Sequence, residues 1–194
     1  MNQFYVTFID PHHPPVMGCT LVLSCVDRTH YPFHLSPFFE RERKMLPFYE
    51  AFFDRIKELH SDIEKCFAGV PPEGLDWVPG EDMNSLAVLV THTAGAERYW
   101  ISDVVGQNPS DRDRDAEFRA SGLDQATLKQ RLDDVLVAVE KTLESLTLED
   151  LEAERVSRRN QRTFTVGWSI LHAMEHTAMH LGHMQMLRQL WDQR

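Results

Sequence analysis

The amino-acid sequence predicts an all-α protein built as a four-helix bundle. Four long segments repeat apolar residues at helical spacing. Clusters of Gly and Pro punctuate them. Little in the 194-residue chain reads as credible sheet. With 42% hydrophobic and 26% charged residues, the composition suits one soluble domain with a sizeable core.

The first helix is expected from about Phe48 to Phe67, with Phe52, Ile56, Leu59, Ile63 and Phe67 on its apolar face. Pro47 suits its first turn, and Gly69, Pro71 and Pro72 end it. The second runs from about Asn84 to Val105, with Asp82 or Asn84 as cap and Gly106 and Pro109 as its stop. The third runs from about Asp124 to Leu146 through Leu128, Leu132, Val135, Leu136, Val139 and Leu143. The fourth runs from about Val166 to Trp191. The connections 106–123 and 147–165 are long enough for crossovers, so simple up-and-down topology is not required.

Residues 1–44 read differently. Gln3–Ile9 and Thr20–Val26 are short β-prone runs around Pro11, His12, His13, Pro14 and Pro15, which suggests an irregular or hairpin-like extension. Met45 stands just ahead of the first helix, so an upstream start codon chosen in error would also account for this segment. The expected division is an extension over 1–44 and the bundle over 45–194.

The net charge of −10 excludes a phosphate-backbone binder, which needs a basic face. No apolar run approaches the roughly 20 residues of a membrane helix. Val16–Val26 faintly resembles a signal core, but no Lys or Arg precedes it and Asp10 does. Cys19, Cys25 and Cys66 form no CxxC pair and read as reduced thiols, so the expected compartment is the cytoplasm.

The chemistry concentrates in WSILHAMEHTAMHLGHMQMLRQLW, Trp168–Trp191. On a helix, His172, His176, His180 and His183 keep to one stripe. Leu187 and Leu190 continue it, so it is expected to face the core. Neutral imidazoles gathered there suit a transition metal. His172 and His180 stand about 12 Å apart along the axis, too far to share an ion except almost linearly. The workable pairs are His172/His176 and His176/His180, with His180/His183 behind them. Another helix must then supply a further ligand. His92 in the second helix shares a face with Val88, Leu89, Ala96 and Tyr99 and is expected to point inward. His172–His176 also matches HxxEH, a metalloprotease signature. That chemistry needs a ligand well downstream, and only 18 residues follow His176, all in the same helix.

At these residues the chain resembles the DinB-like (DinB/YfiT) superfamily, from about Phe48 to the C-terminus. The family carries a histidine inside its second helix followed shortly by an aromatic, here His92 with Tyr99 and Trp100. Its last helix carries a pattern like EHxxxHxGQ, which Glu175, His176, His180, Gly182 and His183 match, with His183 in place of Gln. The resemblance selects His92, His176 and His180 as metal ligands. It also marks Asn84-Ser85 at the start of the second helix and Gly182 as a point of close helix packing. It implies an up-down-down-up four-helix bundle, often a homodimer, holding a divalent ion. Mycothiol-dependent maleylpyruvate isomerases, a related group, commonly have Glu where this chain has His176.

Three imidazoles around Zn²⁺ or Ni²⁺ leave a coordination position open for a small-molecule substrate. The implied activity is that of a metal-dependent thiol transferase, working with a low-molecular-weight thiol, or of a hydrolase. The alternative is a non-catalytic, metal-stabilised stress-response or interaction bundle, because the chain offers no Ser/His/Asp or Cys/His nucleophile set. Glu175, His172 and His183 are candidates to orient ligands or relay protons around the site. Arg112, Asp113, Arg114, Asp115 and Glu117 read as a solvated charge run, or as a mouth at the end of the second helix.

Overall fold

A computed structural model describes residues 45–194. The β-prone runs expected within residues 1–44 lie outside the described residues. Helix α1 spans Pro47–Phe67. Pro47 occupies its first turn, and Gly69, at φ +70°, turns the chain away in the left-handed region that favours glycine. A single turn, α2 (Pro72–Leu75), follows. Helix α3 spans Leu86–Arg98 and continues as a π-helical stretch over Tyr99–Val105. In that stretch the Gly106 amide bonds the Ile101 carbonyl at 2.9 Å, one residue further back than an α-helix would reach. A short α4 (Arg114–Glu117) precedes α5 (Gln125–Leu143). Helix α6 spans Val166–Asp192, 27 residues and about 40 Å.

The caps differ from the sequence reading at one point. Ser85, rather than Asp82 or Asn84, caps α3, its Oγ accepting the Val88 amide at 3.2 Å. Asp124 caps α5 and Thr165 caps α6 in the same way.

Sheet is sparse among the described residues, as expected. A small antiparallel hairpin, β1 (Glu154–Val156) with β2 (Thr163–Thr165), leads directly into α6, with Arg155 opposite Phe164. Its strands are three residues long, too short for an alternating pattern to register in sequence.

The four long helices form the bundle. Helices α1 and α3 each pack against both α5 and α6. Tyr49, at the start of α1, donates to the Thr147 carbonyl just past α5 at 2.7 Å, while Gln125, at the start of α5, donates to the Val70 carbonyl beyond α1 at 2.8 Å. At the other end of the chain, Arg188 of α6 donates to the Ala68 carbonyl at 2.8 Å. The core holds Ile56, Ile63, Leu86, Ile101, Leu128, Leu132, Ile170 and Met184, each almost wholly buried. Helix α3 is buried continuously from Leu86 to Ala94, so it is the innermost helix. That position brings a histidine on α3 within reach of α6.

Candidate metal centre

His92 lies two turns into α3 and is 5% exposed, among Val88, Leu89, Ala96 and Tyr99 as its face predicted. On α6 the buried stripe is Val166, Ile170, Ala173, Thr177, Leu181, Met184 and Leu187. The histidines do not lie on that stripe, contrary to the expectation from their spacing. Each of His172, His176, His180 and His183 immediately precedes a member of it, so they form its border. His176 and His180 are half-buried, His183 is exposed, and Leu190 is also exposed at 38%. A helical repeat fixes which residues share a face but leaves the face's rotation to packing, so a stripe one step off reads alike.

The border position brings three imidazoles together. The rings of His92 and His176 lie 5.1 Å apart, those of His92 and His180 5.1 Å, and those of His176 and His180 4.4 Å. One nitrogen from each lies within 4.8 Å of the other two. A single point therefore lies within about 2.8 Å of all three, and small side-chain adjustments bring it to a Zn–N distance of about 2.1 Å.

The surroundings suit a cation. His92 Nδ1 lies 2.9 Å from Glu117 Oε2. A carboxylate only accepts, so Nδ1 carries the proton and Nε2 keeps its lone pair for a ligand. Burial lowers the His176 pKa to about 3, helped by the fields of His180, His92 and His172. Burial, with His92 and His183, lowers that of His180 to about 4. Both rings therefore stay neutral at physiological pH, as metal ligation requires. His176 Nδ1 is buried without a hydrogen-bond partner, an orphaned acceptor or donor of the kind a bound ion or a reoriented ring would satisfy.

Glu117 and Arg112 correct the reading of the charge run as solvated. Both side chains are over nine-tenths buried. Arg112 Nε and Nη2 donate to the two Glu117 oxygens at 2.5 and 2.7 Å. Burial alone would raise the Glu117 pKa, but the bonds and charge of Arg112 and the bond from His92 outweigh it and hold the carboxyl below its usual range. Gly95 makes this possible. A Cβ there would fall 2.7 Å from Glu117 Cδ and closer still to Oε1. The signal for this was present in the sequence: Gly95 sits one turn past His92 on a helix that needs no glycine for its backbone.

A second buried network gave no usable signal in the sequence. His60 of α1 donates through Nε2 to Glu97 Oε2 of α3 at 3.0 Å, and Thr177 Oγ1 of α6 donates to the same oxygen at 2.9 Å. All three are essentially unexposed.

The remaining candidates fall around the centre. His183 Nδ1 touches His180 Nδ1 at 3.3 Å. His172 stacks on Trp168 at 4.7 Å and meets Trp100 edge-on at 4.8 Å. Glu175 reaches His172 only at 3.7 Å and its side chain is 81% exposed, so it stands on the outer side of α6. Gly182 faces open space, with nothing within 4 Å of where a Cβ would stand, so it marks no close helix approach. A cavity of about 200 Å³ opens over His92, His176 and His172, walled by Tyr99 and Trp100.

The model of the DinB superfamily matches residues 55–184 of this sequence. The chain belongs to the DinB superfamily. Among solved structures, a conserved protein from Enterococcus faecalis is 15% identical with a TM-score of 0.63, over 75% of this chain and 97% of that one. A protein from Streptococcus pneumoniae is 16% identical with a TM-score of 0.54, over 75% and 90%. A mutant of the mycothiol-dependent maleylpyruvate isomerase is 12% identical with a TM-score of 0.51, over 70% and 60%. At these identities the likeness shows a shared fold. No curated protein matches the chain.

Two outcomes test the centre. Gly95→Ala displaces Glu117 from His92, and metal affinity, measured by competition with a chelator, should fall about 10- to 100-fold while the helical circular dichroism persists; unchanged affinity would show that Glu117 does not orient His92. The metal-free protein should also lose stability as the pH drops from about 6.5 toward 4. The unfolded chain protonates its histidines near 6.5 while His176 and His180 in the fold resist until about 3 and 4, so the unfolded state binds more protons across that window. Melting temperatures that stay flat between about pH 7 and 5 would contradict the burial of these rings.

Proposed function

We propose that this DinB-superfamily chain is a metal-dependent enzyme, a thiol transferase or hydrolase, whose divalent ion is held by His92, His176 and His180. The observation that carries the reading is the convergence of these three imidazoles from two helices, two of them, His92 and His176, lining an open cavity. Three nitrogen donors suit Zn²⁺ or Ni²⁺ and leave a position for substrate. When bound, such an ion supplies Lewis-acid activation of a thiol or a water.

The chain's own residues do the rest. Glu117 fixes the His92 ring, and Arg112 keeps Glu117 charged so that it goes on accepting from His92. His183, on the water side of His180, is placed to exchange protons between the centre and solvent. Trp100 and Tyr99 wall the cavity and limit water around the reacting groups. A low-molecular-weight thiol as co-substrate is supported by the fold shared with a mycothiol-dependent isomerase.

The proposed setting is the cytoplasm, supported by Cys66, a free thiol buried in the core. Among the described residues no helix is long and apolar enough to cross a membrane. We also propose a homodimer. Leu171, Met179, Met186 and Leu190 form an exposed apolar stripe along α6, on the side away from the core.

Purified protein should carry about one divalent ion per chain by elemental analysis, and His92→Ala, His176→Ala or His180→Ala should each lose it. Equal metal in wild type and variants rejects this ligand set. The loaded protein should turn over electrophiles with bacillithiol, mycothiol or glutathione; loading without turnover under any thiol would favour a structural ion. In sedimentation the chain should run as a dimer, and Leu171→Glu with Met179→Glu should make it a monomer. A monomeric wild type would remove the dimer.

A further inference from the structure

The cavity over the histidines has a chemical character that a metal centre does not require. Apart from its imidazoles and Tyr99, its polar lining is Arg112, Arg114, Arg159 and Asn160, and no carboxylate faces it. The chain as a whole has 30 acidic residues against 20 Lys and Arg, so an acid-free lining with three guanidiniums runs against its average. Arg112 is already engaged, its charge matched by Glu117 behind the cavity wall. Arg114 lies over the Phe118 ring at 4.6 Å. Neither Arg114 nor Arg159 has an ion-pair partner among the described residues. Glu175, the acid beside His172, is turned to water.

Two guanidiniums without carboxylate partners, brought to one small cavity from separate segments, make a receptor for an oxyanion. Arg114 comes from the start of α4 and Arg159 from the turn between β1 and β2. Guanidinium matches a planar acid group with paired, charge-assisted bonds. Tyr99 and Trp100 make another part of the wall aromatic. Trp100 meets His172 at 4.8 Å and Trp168 at 5.2 Å, and presents an apolar surface to whatever enters.

We propose that the substrate taken by this cavity is a small organic acid. Arg114 and Arg159 hold its acid group at the rim, Trp100 packs against its body, and its reactive end lies over His92 and His176. The placement of the reactive end rests on the metal-centre reading, whereas the arginine rim is independent of any ion.

The test uses the full chain, metal-loaded and metal-free, titrated at low salt with benzoate and with its neutral isostere benzamide, followed by calorimetry and tryptophan fluorescence. Benzoate should bind at least about tenfold more tightly than benzamide and quench the fluorescence. The double variant R114Q/R159Q should lose that preference while keeping its metal content and melting temperature, because both side chains are exposed. Equal affinity for the two probes, no binding of benzoate, or a preference that survives in R114Q/R159Q each overturns the proposal. Metal content separates the two readings. A benzoate preference in a chain that takes up no metal keeps the acid-binding cavity and ends the metal centre. Full metal loading without the preference does the reverse.

Discussion

The arrangement depends on one buried carboxylate. Glu97 on α3 accepts hydrogen bonds from His60 of α1 and Thr177 of α6, deep in the bundle. Apolar packing between helices tolerates small rotations, because many side-chain contacts are individually weak. A buried carboxylate does not. Stripping one partner from such a network costs on the order of 3–5 kcal/mol, a large part of a domain's net stability. Thr177 follows His176 directly in the chain. Holding Thr177 to Glu97 therefore sets the rotation of α6, and with it the direction in which His176 and His180 point. His92 lies five residues before Glu97 on the same helix. The network and the three imidazoles are thus neighbours that share two helices.

The charges near the centre are arranged in sequence from the outside inward. Arg112 satisfies Glu117, and Glu117 fixes the His92 proton on Nδ1, while one nitrogen of each of the three rings lies within 4.8 Å of the other two. His183 Nδ1 lies 3.3 Å from His180 Nδ1, and His183 is exposed to solvent. Such an arrangement orients His92 before any ion arrives, and burial keeps His176 and His180 neutral, so little has to be reorganised on binding. The π-helical turn after Arg98 belongs to the same design. It carries Tyr99 and Trp100, which form the cavity wall, and the Tyr99 hydroxyl bonds Ser157 beside the hairpin turn.

Much of this was legible in the sequence because it repeats. The long helices have regular apolar faces, and Phe52, Ile56, Leu59 and Ile63 or Leu128, Leu132 and Val135 are buried as their spacing required. Family motifs around His92, His176 and His180 pointed to the three imidazoles that the fold brings together. What stayed hidden does not repeat. Glu117 reaches His92 across 25 residues from a segment that looks like any run of surface charge. The hairpin strands are too short to show alternation. The Glu97 network links residues 37 and 80 positions apart, with no repeating pattern to mark it.

The most direct measurement is X-ray absorption at the metal edge of the zinc-loaded protein. Three imidazole nitrogens at about 2.0–2.1 Å, with one further light atom and no sulfur, are expected. A sulfur at about 2.3 Å, or a shell of oxygens without imidazole scattering, would contradict a centre made by His92, His176 and His180.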